Sequence, residues 1–272
     1  MRSANSLAPE RREAEHRKSA GARSRLAAHL FTIAFLIVWA GYALTVPAFV
    51  LPGPAAVAMR LYQFFTTYSL YRHALASLAH ILAAMTVSFL VGTGLALLAH
   101  YVPLLRLAVH GRLSPFLNSF SGIGWALLSI VWFGINEVTV VFAISIVLTP
   151  FAIINMREAL DTLDGEMLEM AASFTRNRWR EFVKIVGPAL MPFVFATLRI
   201  SFGVSWKVAL AAELFGGHTG LGYLFSLAQQ NFDMRLTLVV IIVIIAFVHA
   251  TDRLVFAPLQ ALTSRHNEAR AP

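Results

Sequence analysis

The chain has 272 residues, is 58% hydrophobic and only 13% charged, and has a mean hydropathy of +0.68 and a formal charge of +8. A soluble core of this size cannot hide that much apolar surface, so the bilayer is its solvent, and the positive charge reports loop position rather than nucleic-acid binding. Cysteine is absent, which excludes disulfides, thiolate metal sites and thiol nucleophiles.

Residues 1–28 are rich in Arg, Glu, Ala and Ser without an apolar period, the composition of a disordered tail. The apolar run behind them is span-length, longer than the core of a cleaved leader. Six runs reach the roughly 20 residues needed to cross the hydrocarbon: 29–49, 76–99, 115–133, 138–156, 190–213 and 236–256. The expected fold is an all-α membrane domain of six transmembrane helices over 29–256, followed by a C-terminal tail at 257–272. After the first run, Leu51-Pro52-Gly53-Pro54 stops the span and starts a short helix. Its apolar face, Val57, Leu61, Tyr62 and Phe65, is expected to lie in the outer interface. The third run is the weakest, because Asn118-Ser119-Phe120-Ser121-Gly122-Ile123-Gly124 is small and polar and suits close packing or a solvated path better than lipid.

Orientation follows from Arg and Lys. With the N-terminus inside, the inner segments hold seventeen of them and the outer segments only Arg60, Arg72 and Arg235. The positive-inside rule therefore places both termini and the loop at 158–188 in the cytoplasm.

That loop has a helical pattern of its own. Met167, Met170, Ala171 and Phe174 fall on one stripe, and Trp179, Phe182, Val183 and Val186 repeat the spacing after a polar break at Thr175–Arg178. Asp161, Thr162 and Asp164 are candidate caps for the first helix, and Asn177 for the second. Two short amphipathic helices joined at a bend make either a knob for a partner's groove or an interfacial pair packed on its own bundle.

The order Glu169-Met170-Ala171, Thr175, Ile185, Gly187, Pro188 resembles the EAA loop of the membrane subunits of ATP-binding cassette importers. Glu169, Ala171, Ile185 and Pro188 are in register with that motif. Met170, Thr175 and Gly187 depart from it, and Thr175 lacks the backbone freedom of the family's glycine. Leu51-Pro52-Gly53-Pro54, Trp132-Phe133-Gly134, Pro150 with Asn155, Leu198-Arg199, Gly203, Ser205-Trp206, Ala212-Glu213 and Gly220-Leu221-Gly222-Tyr223 extend the likeness over about residues 50–256. Together they resemble the permeases for aliphatic sulfonates, taurine, nitrate or bicarbonate and thiamine precursors. The resemblance implies a permease subunit whose Glu169, Ala171, Ala172, Phe174, Thr175, Ile185 and Pro188 contact an ATPase. It implies two ATPase copies, a second permease copy and an extracytoplasmic solute-binding protein as partners, in a bacterial inner membrane. Lys207, Glu213, Asn155 and Trp206 are the candidate pathway residues.

The chain has no phosphate-cradling P-loop, since Lys18, Lys184 and Lys207 are its only lysines and none follows a glycine. ATP hydrolysis is therefore expected from a partner, with no cofactor, no metal and no catalytic residue here. Lys207, deep in the fifth run, serves a pathway, pairs with another helix or snorkels outward; Glu213, at its outer end, serves a pathway or sits in the interface. Pro150 with Thr149 is expected to kink the fourth run. The histidines 73, 80, 100, 110 and 218 lie at loop and span ends and read as interfacial. Two other classes remain: an ion-coupled carrier, which would need no ATPase, and an intramembrane hydrolase using Ser121 or Ser205 with a histidine.

Overall fold

The computed structural model describes residues 30–162 and 187–256, together with Ala27. Among the described residues all regular structure is helical, and no strand occurs. The first helix, α1, spans Leu30–Ala43. It stops short of the expected 49 because Pro47 biases the chain before it away from helical angles. Its described part, at 1.5 Å per residue, covers about 21 Å.

Helix α2 is Pro54–Thr66, with Pro54 at its first position and Gly53 as N-cap, so the proline's missing N–H costs nothing there. It buries Val57 and Phe64 and leaves Tyr62 and Phe65 exposed. The inward face is therefore one step round from the expected one. Helix α2 packs against α3, Tyr68–Tyr101, and against the last long helix. A 34-residue helix extends about 51 Å, beyond both edges of the hydrocarbon.

The third expected span is not one rod. Helix α4, Pro103–Ser119, meets α5, Gly122–Phe133, at 89°. The break falls at Phe120–Ser121, inside the small polar stretch, where hydropathy averaging does not register a bend. Ser121 caps α5, its Oγ accepting the Gly124 N–H at 3.1 Å, and Gly134 ends the helix at φ +74°. Helix α4 carries a π-helical stretch at Leu107–Leu113.

The remaining spans follow expectation. They are α6, Glu137–Asp161, capped by Asn136, and α7, Gly187–Gly216. The last, α9, is Met234–Thr251, capped by Asp233 and continued by a π-turn at Asp252–Phe256. One unexpected helix, α8, Leu221–Gln230, sits in the loop between α7 and α9. Among the described residues four helices are long and apolar enough to cross a membrane, or five if the bent pair is one span; the expected count was six.

Helix α6 is the spine of the bundle, packed on α3, α5 and α7. Val140, Ala143, Ile144 and Leu148 on it interlock with Ile81 and Ala84 of α3, Phe202 and Ala209 of α7, and Val239 and Val240 of α9. A smaller cluster at the opposite end joins Ala96, Met156, Ala159, Leu160 and Leu190. Leu75, Leu82, Leu90, Val131 and Ile245 remain exposed around the outside, as lipid-facing positions of a bundle do.

Candidate functional site

Helices α3, α6, α7 and α8 converge on one carboxylate. Glu213, near the end of α7, is 1% exposed. Its Oε2 accepts the Ser77 hydroxyl at 2.7 Å and the Gly222 backbone N–H at 2.9 Å. Its Oε1 lies 2.9 Å from His80 Nδ1. Ser77 Oγ in turn accepts the Leu221 N–H at 2.7 Å. The carboxylate and the serine thus take up the first free N–H groups of α8, where negative charge also suits the helix dipole. Gly220 makes this possible. Its φ is +103°, and a Cβ there would lie 2.2 Å from the Glu213 carboxyl carbon.

His80 continues the network, its Nε2 facing Glu137 Oε2. Glu137 Oε1 accepts the Thr219 hydroxyl at 2.8 Å. The reading of His80 and His73 as interfacial residues is corrected here. His80 is 7% exposed between two carboxylates, and His73 is buried with its ring 5.7 Å from that of Tyr223. The interfacial alternative for Glu213 fails on its burial. Ser77, His80 and Glu213 are buried together because they satisfy each other, whereas His73 Nδ1 has no hydrogen-bond partner among the described residues. No stretch of sequence shows Ser77, His80, Glu137 and Glu213 as neighbours; the one signal was polar residues inside apolar runs at matching distances from the span ends.

Lys207 is placed oppositely. It lies on the exposed face of α7 with Ala196, Ile200 and Gly203, at helical spacing. Thr197, Ser201 and Ser205 occupy the buried face. Lys207 has no carboxylate partner among the described residues, and it sits about 13 Å along α7 from the Gly216 end. Helices α5 and α7 run parallel in register: a Cβ on Gly122 would meet Val208 at 3.5 Å, and one on Gly216 would meet Ile130 at 3.1 Å. The α4–α5 break, with Asn118, Ser119 and Ser121 exposed, is thus level with Lys207. Irregular backbone at that depth is tolerated where it is covered by protein or lines a wet cavity, not where it meets lipid.

The other expected residues scatter. Trp206 is buried against Phe202 and Phe247, with ring centroids at 6.0 and 5.7 Å. Its indole N–H has no partner among the described residues. Asn155 is half-buried toward the far end of α6, and Pro188 is exposed in the first turn of α7. Glu169, Ala171, Ala172, Phe174, Thr175 and Ile185 lie outside the described residues. Arg199 forms a two-pronged pair with Asp252, at 2.8 and 3.1 Å, tying α7 to the π-turn after α9. Ser121 caps α5 and Ser205 donates to the Phe202 carbonyl at 2.7 Å. Neither meets a histidine among the described residues.

Comparison with known proteins gives the arrangement a family. Residues 26–257 match the family described as binding-protein-dependent transport system inner membrane component. A riboflavin transport system permease of Chloroflexus aurantiacus is 30% identical over 209 residues, covering 75% of this chain and 76% of the relative. A bicarbonate transport permease of Synechococcus elongatus is 26% identical, covering 77% and 79%. The taurine transport permease of Escherichia coli is 27% identical, covering 72% and 74%. In fold the chain is similar to one from the inward-facing methionine ABC transporter MetNI, with a TM-score of 0.60 at 14% identity over 71% of this chain and 95% of that one. These matches set aside the carrier and hydrolase readings. The chain belongs to the binding-protein-dependent transport inner membrane components: it is a multi-pass permease component of an ATP-binding cassette importer, a transport subunit and not itself an enzyme.

Proposed function

We propose that two copies of this chain face each other across the stripe Ala196, Ile200, Gly203 and Lys207, and form between them the pathway for a small solute. The carrying observation is that Lys207, well inside an apolar span-length helix, is exposed on the surface of a single copy; the proposed orientation puts it near mid-bilayer. A charge turned toward lipid there costs several kcal/mol. A second copy across a wet cleft removes that cost. The level break between α4 and α5 adds hydroxyl and amide groups on the same side.

In this reading the termini are cytoplasmic, two ATPases dock on the loop at 158–188, and a solute-binding protein delivers to the outer surface that includes α8. ATP-driven closure of the ATPases moves each loop and switches the pathway between inward- and outward-facing forms. Relatives named for bicarbonate and aliphatic sulfonates, together with the ammonium on the stripe, favour a small anion, and the taurine permease admits a zwitterion that bears a sulfonate. The riboflavin permease keeps a neutral solute as the second reading.

The chain has no cysteine, so Lys207→Cys is a clean probe. In membranes that residue should react with a small charged thiol reagent, and substrate should slow the reaction. A thiol that never reacts, in either the resting or the ATP-bound transporter, places position 207 against lipid or protein and sinks the proposal.

A further inference from the structure

We propose that the other end of the bundle holds a binding site for the phosphate headgroup of an anionic phospholipid, in the groove where α3, α4 and α6 end. A partly open cavity of about 140 Å³ lies between His100 of α3, Arg106 and His110 of α4, and Arg157 and Asp161 of α6. It adjoins a wider concavity of about 410 Å³ that Arg106, His110 and Arg157 also line. Among the described residues Asp161 is the one carboxylate lining the smaller cavity, and Arg157 Nε reaches it at 3.4 Å. Arg106 has no ion-pair partner among the described residues. A neighbouring concavity toward Ser114 adds Glu158, so the uncompensated positive charge is concentrated on the Arg106 side.

Two further features select a lipid over a soluble anion. Leu104 and Leu107, flanking Arg106, are 88% and 67% exposed, an apolar edge beside a basic groove. This is the pattern of a segment lying at the headgroup boundary. The groove also lies at the Arg-rich ends of the spans, which the positive-inside rule assigns to the cytoplasmic leaflet, where basic pockets between helices hold anionic headgroups. The π-helical stretch Leu107–Leu113 aims Arg106 and His110 into one groove. Such bulges occur frequently at functional sites. The inference rests on the proposed orientation, which labelling of Arg112→Cys from each side of the membrane reads independently.

The test is native mass spectrometry of the full chain in neutral detergent, offered phosphatidylglycerol and phosphatidylcholine of equal chain length. The protein should retain phosphatidylglycerol preferentially. Arg106→Gln should cut that preference about fivefold, the effect of one arginine near a headgroup, while Arg106→Lys keeps it and Arg235→Gln at the opposite end leaves it unchanged. Arg106 has no carboxylate partner among the described residues to lose, and an unchanged melting temperature for Arg106→Gln separates the site from the fold. Leu104→Ser should also lower retention. Equal retention of both lipids, or an unaltered preference in Arg106→Gln, overturns the proposal. So does displacement by millimolar inorganic phosphate, which would make this a soluble-anion site. Loss of the preference once the ATPase is bound would assign the face to that subunit instead.

Discussion

The Glu213 carboxylate accepts the backbone N–H of Gly222 at 2.9 Å, so the end of one membrane helix caps the start of the surface helix that follows it. Through Ser77 and His80 the same group also holds α3. Helix α8 is therefore bolted to the helical bundle rather than hung from a loop.

Glu213→Gln and Glu213→Ala separate charge from geometry at this joint. Both N–H and O–H donors go to one oxygen, Oε2, so a glutamine carbonyl can accept them while its amide donates to His80 Nδ1. Thermal stability of Glu213→Gln should stay within about 1 kcal/mol of the parent. Glu213→Ala strands three buried polar partners and should cost about 3 kcal/mol or more. Equal stability of the two variants in a detergent melting assay would remove the joint from this account. Loss of uptake in Glu213→Gln at normal assembly would mean that the charge itself serves transport.

The crossing of α3 and α6 is set by Gly92. A Cβ there would lie 2.5 Å from that of Ala152 and 3.0 Å from the Thr149 carbonyl oxygen, close beside Pro150. Two backbone-anchored neighbours cannot yield as a flexible side-chain end would. Gly92→Ala should therefore destabilise by about 1–3 kcal/mol and lower the amount of folded protein in the membrane. Gly94→Ala, two residues on, meets nothing within 4 Å and should be tolerated. Similar melting temperatures for the pair would mean that the helices cross more loosely.

The proposed coupling to an ATPase is tested on the loop at 158–188. Ala171→Asp puts a charge into the apolar stripe proposed to enter the ATPase groove, and Glu169→Ala removes the acidic contact. Each should abolish uptake while leaving the chain in the membrane at near-normal level. Survival of uptake in Ala171→Asp would show that the loop does not dock by this stripe.

Lys207→Met tests substrate charge. Uptake should fall with assembly and basal ATP hydrolysis intact, and fall further for an anionic substrate than for a neutral analogue of equal size. Equal loss for both, or failure of assembly, would make Lys207 a structural residue.

Much of this architecture is legible in sequence. The expected spans at 76–99, 138–156, 190–213 and 236–256 fall within the observed helices or their π-turn continuation, because an apolar run of that length has few other solutions in a bilayer. The bend at Phe120–Ser121 was visible only as a weak patch. Helix α8 was legible yet missed: Leu221, Leu224, Phe225 and Ala228 stand at helical spacing after a glycine. The Glu213 joint was not legible, because it brings together residues separated by as many as 144 positions, and pairing across helices leaves no local pattern. Lys207 stood out as a charge in an apolar run, but only the packed bundle shows that it points away from its own helices.

The central claim is that this chain is half of a pathway driven by a separate motor. The most direct measurement is the mass and activity of the complex it forms when produced with its ATPase. Two 29.9 kDa permease chains should co-purify with two ATPase chains, and ATP hydrolysis should appear in that complex and be absent from the permease alone. A stable complex with a single permease copy, or ATP turnover by the lone chain, would contradict the account.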